Sequence, residues 1–471
     1  MFKKLNENKL FEELYIVCVF LIALIGWFFK SQYGYTAIAI VSFVTVMLFN
    51  DVKYLVPCGL GMVFSIGSGF ETNSSYGPLI GSVLIYASSF IVFVIRNGLN
   101  FKNFKSFKGL LILAILSFIP LIYRNTIKDG ISSGVLDNSA VSLYVLYFGY
   151  FAYVLLYFLF AMTLKKDSLR IIFKTIGYMT IILSLECFIH VVIDGFNKGY
   201  RLGWGHCNEA GILMLFGLPF IMVGLVKADK ISEMIVAIIK FLIAIVGIIC
   251  STSRGTYLFG FIEVVVLLIY TLIKSKHWKS ILIILISCLI VGIIGIQIKI
   301  GIVKLVRDII DLLLYRGFEF GDRTRLFKQS IVIWNENWLT RLFGAGIVAE
   351  LAINRVGFED MNTFVVYHST FFSCLATLGI CGVLALIYHF YERYSQMKYF
   401  EKDVMFILLI GFIMLDIYGM MDNTYGMYYF MIPLVIFMAA VDCYTSDESV
   451  KKIELDLRWI KWNKLNLWSL P

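Results

Sequence analysis

Charge is scarce in this chain of 471 residues: Asp, Glu, Lys and Arg make up 15% of it, where soluble domains average about 25%. Proline occurs only 6 times, and 60% of the residues are hydrophobic, with a mean hydropathy of +0.84. Such a composition excludes a soluble globular domain and requires burial in lipid. The 9 cysteines show no metal-type or redox-type pairing. Cys18, Cys58, Cys187, Cys250, Cys288, Cys374, Cys381 and Cys443 lie in or at the ends of apolar runs, where cysteine acts as a small hydrophobe, so no disulfide framework is expected. Internal repeats, low-complexity runs and a separate soluble domain are all missing, so residues 1–471 read as one membrane domain. The opening MFKKLNENK resembles a signal sequence, but no small-residue cleavage site follows it, and the first apolar run is expected to stay as a helix. A net charge of +9 would suit nucleic acid only if clustered on a soluble domain; here the basic residues sit in short loops, and no nucleic-acid partner is expected.

A helix needs about 20 apolar residues to cross the hydrocarbon. The runs near 13–29, 34–49, 53–68, 77–95, 109–123, 140–164, 171–194, 209–226, 232–250, 255–273, 280–298, 369–391, 404–420 and 425–442 predict an all-α polytopic membrane protein of about 12–14 spans. Lysine and arginine orient them. With the N-terminus inside, the loops NDVK, RNGLNFKNFKSFKG, KKDSLR, KADK, KSKHWK and ERYSQMKYFEKD, together with both termini, hold roughly two dozen Lys and Arg, against about half a dozen in the opposite short loops. Both termini are therefore expected in the cytoplasm. The tail, 443–471, carries the basic and aromatic KKIELDLRWIKWNKLNLW, which reads equally as an interfacial segment on the inner leaflet or as a solvated tail.

Orientation alone would remove arginine from the outer loops, so the arginines found there are informative. GYRLGWGHCNEAG places Arg201, His206, Asn208 and Glu209 at the membrane edge; an ordinary reentrant loop is the plainer reading. In CSTSRGTY, Arg254 sits between two long spans with almost no loop, where a guanidinium either snorkels or meets an anion, and the start of a helix there favours the anion. The large outer loop, 299–367, begins with apolar residues at helical spacing over 302–314, predicting a helix on the membrane surface. A second helix is expected from Asp322, carrying Arg323, Arg325, Lys328 and Trp334; arginine presents a planar fork that matches phosphate oxygens in pairs. His368, in FVVYHSTFF, opens the next span on the same side, within reach of Arg254 and Arg325. Within the seventh span, Glu186 and His190 are one turn apart, either a proton relay or, more simply, a hydrogen-bonded pair. No outer carboxylate cluster suits a metal, and no cofactor is expected.

In order and spacing these residues resemble the bacterial O-antigen ligase and polysaccharide polymerase superfamily of membrane glycosyltransferases. The resemblance rests on Ser253, Arg254 and Gly255; on Arg325, Trp334 and the turn FGAG at 343–346; on His368 followed by TLGICG at 377–382; and upstream on Arg201 with Asn208 and Gly211. It runs roughly from 201 to 391, and the first half matches only in being helical and apolar. Family members often have asparagine after the histidine, where this chain has Ser369.

The resemblance implies a GT-C-like fold in the cytoplasmic (inner) membrane and an active site on the extracytoplasmic face. It implies transfer of an undecaprenyl-pyrophosphate-linked oligosaccharide to an acceptor hydroxyl, independent of metal. Arg254 and Arg325, assisted by Arg201, would hold the pyrophosphate, with Arg323, Asn208, Glu186 and His190 as further polar groups. His368 would be the general base. The Lys, Ile and Asn bias suggests a low-GC bacterium without lipid A core, favouring a polymerase of capsule, exopolysaccharide or O-antigen over an O-antigen ligase. Membrane lipid, a chain-length regulator and a separate flippase are the expected partners. A flippase for the same lipid-linked sugars is the alternative from another class, although such transporters tend to show two related halves and midplane charges, which this chain lacks.

Overall fold

Apolar runs in lipid can satisfy backbone N–H and C=O groups only within themselves, and so they form helices. A computed structural model describes residues 9–31, 33–69, 77–101, 104–123, 140–195, 201–202, 205–299, 322–346, 368–422, 424–425, 428–446, 452–453, 455 and 457. The helices are α1 (Lys9–Phe28), α2 (Tyr33–Phe49), α3 (Leu55–Gly69), α4 (Gly77–Asn97), α5 (Lys108–Phe118), α6 (Pro120–Tyr123), α7 (Ala140–Thr163), α8 (Ser168–Asp194), α9 (Cys207–Val226), α10 (Ile231–Cys250), α11 (Arg254–Lys274), α12 (Trp278–Lys299), α13 (Asp322–Trp334), α14 (Trp338–Phe343), α15 (Thr370–Met397), α16 (Lys402–Gly419) and α17 (Tyr428–Thr445). A 3-10 turn, Val52–Tyr54, precedes α3, and a hairpin of β1 (Arg201–Leu202) with β2 (Gly205–His206) precedes α9.

Each of the apolar runs is a helix, α5 and α6 together forming one of them. Seven of the helices, α1, α4, α8, α9, α10, α11 and α15, are long and apolar enough to cross a membrane. The others are shorter over their described residues or, like α16 with Lys402, Asp403 and Asp416, carry more charge. The chain is a polytopic all-α membrane protein. The expected surface helix at 302–314 and the tail beyond 457 lie outside the described residues.

α9 is the central helix, buried almost without a break and wrapped by α8, α10, α11, α16 and α17. Phe216 and Phe220 of α9 pack with Phe173, Phe412, Phe430 and Phe437 of its neighbours, the ring centroids 4.8–6.0 Å apart. Peripheral helices turn large apolar side chains outward, among them Ile95 of α4, Phe261 of α11 and Leu289 of α12, as a lipid-facing surface does.

Charge separates the two ends. Lys53 Nζ lies 2.9 Å from Glu12 of α1 and 3.2 Å from Asp167 ahead of α8, while Arg170 of α8 reaches Glu12 at 2.7 Å. The N–H groups of Lys105 and Ser106 donate to Asp442 of α17 at 3.0 and 2.8 Å, and those of Lys108 and Gly109 donate to Glu392 of α15 at 3.1 and 2.8 Å. The loops expected inside therefore share one end. The opposite end gathers the β1–β2 hairpin, the starts of α9, α11 and α15, the α13–α14 pair and the α16–α17 turn.

Candidate active site

α10 ends at Cys250 and α11 starts at Arg254, leaving buried Ser251, Thr252 and Ser253 to make the turn. Thr252 has φ 54°, a left-handed conformation that costs a non-glycine residue roughly 1–2 kcal/mol. Ser253 is the N-cap: its Oγ accepts the Thr256 N–H at 3.3 Å and lies 3.3 Å from Tyr418 Oη on α16. A Cβ at position 255 would come within 2.2 Å of the Tyr418 ring, so the close approach of α16 requires glycine. Each residue of the Ser-Arg-Gly motif thus has a physical role: cap, charge and clearance. Arg254 is held half-buried in the first turn of α11, where the helix N-terminus favours an anion.

Two residues further on, Thr256 packs against Gly211 of α9, where a Cβ would meet its Oγ1 at 1.9 Å. This contact brings the start of α9, and the hairpin before it, to the same corner. Arg201 pairs with His206 across that hairpin; their side chains lie outside the described residues. Asn208 follows on α9, partly buried, with Cys207 Sγ at 4.0 Å from its Oδ1.

His368 stands two residues ahead of α15 with φ 49°. Its Nδ1 is 3.2 Å from Asp422 Oδ1 in the α16–α17 turn, and Asp422 Oδ2 is 3.8 Å from Arg323 Nη2 on α13. The carboxylate is 10% exposed, the imidazole 39% and the guanidinium 31%, so a buried acid holds two more accessible groups from different elements. With Nδ1–H donated to Asp422, Nε2 carries the lone pair and is free to act as a base. Ser369 caps α15, its Oγ accepting the Phe372 N–H at 3.4 Å. Thr370 Oγ1 accepts the Thr424 N–H at 3.0 Å and pins the turn that carries Asp422. The Asp422 N–H donates to the Tyr418 carbonyl at 3.0 Å, so the sequence of contacts His368, Asp422, Tyr418, Ser253 leads directly to Arg254.

Arg325 is two residues beyond Arg323, about 200° round α13. It is half-buried on a helix that packs against α15 through Phe327, stacked on Phe372 at 4.4 Å, and through Leu326 and Ile333 with Ala345 and Ala376. Arg323, expected only as a further polar group, is the arginine that reaches the carboxylate beside His368.

The two glycine motifs form one joint. After α14, Gly344 and Gly346 have φ of 76° and 87°, and α15 breaks its helical geometry at Gly379 with φ 68°. The break frees carbonyls of the preceding turn, and the N–H groups of Ala345 and Gly346 donate to those of Ala376 and Thr377 at 2.8 and 2.9 Å. A Cβ at 379 would sit 2.5 Å from the Leu342 carbonyl, and one at 344 would sit 2.2 Å from the Leu378 nitrogen. Tyr123 closes the joint from α6 by donating to the Gly344 carbonyl. The loop arginines are thereby hung on the helix that His368 precedes.

On α8, Glu186 is fully buried, and His190 Nδ1 lies 3.0 Å from Asp194 Oδ2, one turn beyond it on the side away from Glu186. Among the described residues, no group of three or more His, Cys, Asp or Glu side chains is placed to hold a metal ion. Sequence reasoning missed Asp422 and Tyr418. Asp422 stands in GMMDNTYG, the short loop between the last two spans, but carboxylates contribute little to orientation and draw no attention in a count of basic residues.

No curated protein matches the chain. Residues 239–387 match the family model described as O-antigen ligase; that stretch, from within α10 to within α15, takes in Arg254, Arg323, Arg325 and His368 but neither Arg201 nor Asp422, and the match is consistent with an O-antigen ligase or polymerase family.

Proposed function

We propose that the protein polymerises a bacterial surface polysaccharide at the outer face of the inner membrane. Undecaprenyl-pyrophosphate-linked glycan would be transferred to a hydroxyl of an acceptor sugar. The observation that carries this reading is the His368–Asp422–Arg323 group, standing one chain of contacts from Arg254. Asp422 orients the imidazole, and Nε2 takes the proton of the attacking hydroxyl. The glycosidic bond to the pyrophosphate breaks, leaving undecaprenyl pyrophosphate, whose negative charge is stabilised by Arg254, Arg325 and Arg323, with Arg201 assisting. Arginine charge at a helix start supplies the electrostatic assistance the departing group needs without a metal. A chain-length regulator would act on the growing product, and a separate flippase would deliver the donor.

The test uses cells lacking the native gene and carrying wild type or His368→Ala, with membrane abundance checked alongside. Loss of long chains at normal abundance, with single exported units remaining, is the expected result; unchanged polymer removes His368 from the chemistry. The family description favours one second reading, a ligase that transfers finished chains to a lipid A core. In that case the variant leaves long chains intact on their carrier and the core unsubstituted. A flippase defect would instead leave lipid-linked units inside.

A further inference from the structure

A guanidinium inside a membrane-spanning helix is rare, and costly unless it is paired. Arg393 is such a group: it stands near the end of α15 and is fully buried. Four aromatic rings surround it, the guanidinium carbon lying 5.1 Å from the ring centre of Phe390, 4.9 Å from that of Tyr394, 4.7 Å from that of Phe412 and 6.0 Å from that of Tyr425. Among these rings it donates in two directions. Nη2 donates to the carboxylate of Asp416 on α16, to which Tyr394 also donates, and Nη1 donates to the Tyr425 hydroxyl.

The two acceptors flank Asp422 in the chain. Asp416 precedes it on α16, and Tyr425 follows it in the turn to α17. The backbone from Asp416 to Asp422 is hydrogen-bonded throughout its length: the Met420 N–H donates to the Asp416 carbonyl at 3.2 Å, and the Asp422 N–H to the Tyr418 carbonyl at 3.0 Å. Tyr425 returns to α15 at both of its ends, with its backbone nitrogen 3.5 Å from Thr370 Oγ1 and its hydroxyl on Arg393. Thr370 and Arg393 lie on opposite sides of the helix break at Gly379, so this tyrosine spans the break. Neutralising Asp416 would take one contact; the second contact, to the far arm of the turn, is what ties both arms to α15.

We propose that Arg393 is a positioning residue for the His368–Asp422 pair: by gripping Asp416 and Tyr425 together, it holds the α16–α17 turn where Asp422 meets the imidazole. The inference rests on the reading of His368 as the base in glycan transfer. Arg393 itself is sealed among the rings and acts only through the turn. Lysine separates grip from charge, because a single ammonium can pair with Asp416 but has no planar fork with which to hold Tyr425 as well.

The test measures turnover of a synthetic undecaprenyl-pyrophosphate-linked repeat unit by the full-length protein in nanodiscs, with size-exclusion profile and melting temperature reporting folding. Wild type and His368→Gln are run beside Arg393→Lys, Tyr425→Phe, Asp422→Asn, and Asp422→Asn combined with each of Arg393→Lys and Tyr425→Phe. Arg393→Lys is expected to lower kcat about 10–10²-fold with the donor KM within about 2-fold, as a slightly displaced base does. Tyr425→Phe, which leaves Arg393 on Asp416, is expected to show the same split, and it carries the comparison if Arg393→Lys does not fold. In the Asp422→Asn background each substitution is expected to cost less than about 2-fold, because the contact it protects is already lost. An equal loss in both backgrounds assigns the residue to stability alone and overturns the inference, as does an unchanged kcat in folded Tyr425→Phe. His368→Gln distinguishes the two claims. Turnover equal to wild type removes the glycan-transfer reading and this inference with it, whereas lost turnover beside an unimpaired Tyr425→Phe removes the inference alone.

Discussion

At Asp422 one buried carboxylate faces an imidazole on one oxygen and a guanidinium on the other, and replacing it separates charge from shape. Asp422→Asn keeps the volume but presents an amide to His368, so the ring loses the partner that fixes its tautomer. Turnover is expected to fall about 10²–10⁴-fold, the range for a displaced general base, while the KM for the lipid-linked donor changes little. Initial rates across donor concentrations measure both. Arg254→Lys keeps the charge and loses the planar fork. Here the expected change is at least about 10-fold in donor KM, measured by the same titration, because a single ammonium replaces a two-point grip on phosphate. The sequence made Arg254 and His368 visible, since orientation leaves few reasons for cations at an outer helix start. It concealed Asp422, which meets His368 only when the α16–α17 turn folds onto the start of α15.

Helices were legible because lipid leaves the backbone no other solution, and so even short apolar runs such as 34–49 and 53–68 became α2 and α3. The joint between α14 and α15 was not legible. FGAG and TLGICG announce turns and flexibility, but the kink at Gly379 depends on N–H donors from Ala345 and Gly346, more than thirty residues earlier in the chain. Gly344 and Gly379 are expected to resist substitution for two reasons, a left-handed φ and backbone within 2.5 Å of any Cβ. Gly379→Ala should destabilise the protein by about 2 kcal/mol or more, read as a lowered melting temperature of the purified protein. It should also loosen the arginine-bearing loop, so polymer falls further than abundance. A stable, fully active Gly379→Ala would show that the joint does not position α13.

Across the whole molecule, the buried ions at one end and the candidate active site at the other require opposite exposures. In a background lacking the 9 native cysteines, a cysteine at Lys30 is expected to react with a membrane-impermeant maleimide in intact cells, and one at Lys276 only after lysis. Both lysines are exposed, so access to the reagent reports sidedness alone. The reverse pattern would put His368 in the cytoplasm, away from any exported donor. The most direct measurement is made on purified protein in nanodiscs supplied with a synthetic undecaprenyl-pyrophosphate-linked repeat unit, following released undecaprenyl pyrophosphate and product length together. Wild type is predicted to release carrier as it lengthens glycan, and His368→Gln to lose both by at least about 10²-fold. Equal release and lengthening by the two proteins would contradict the account.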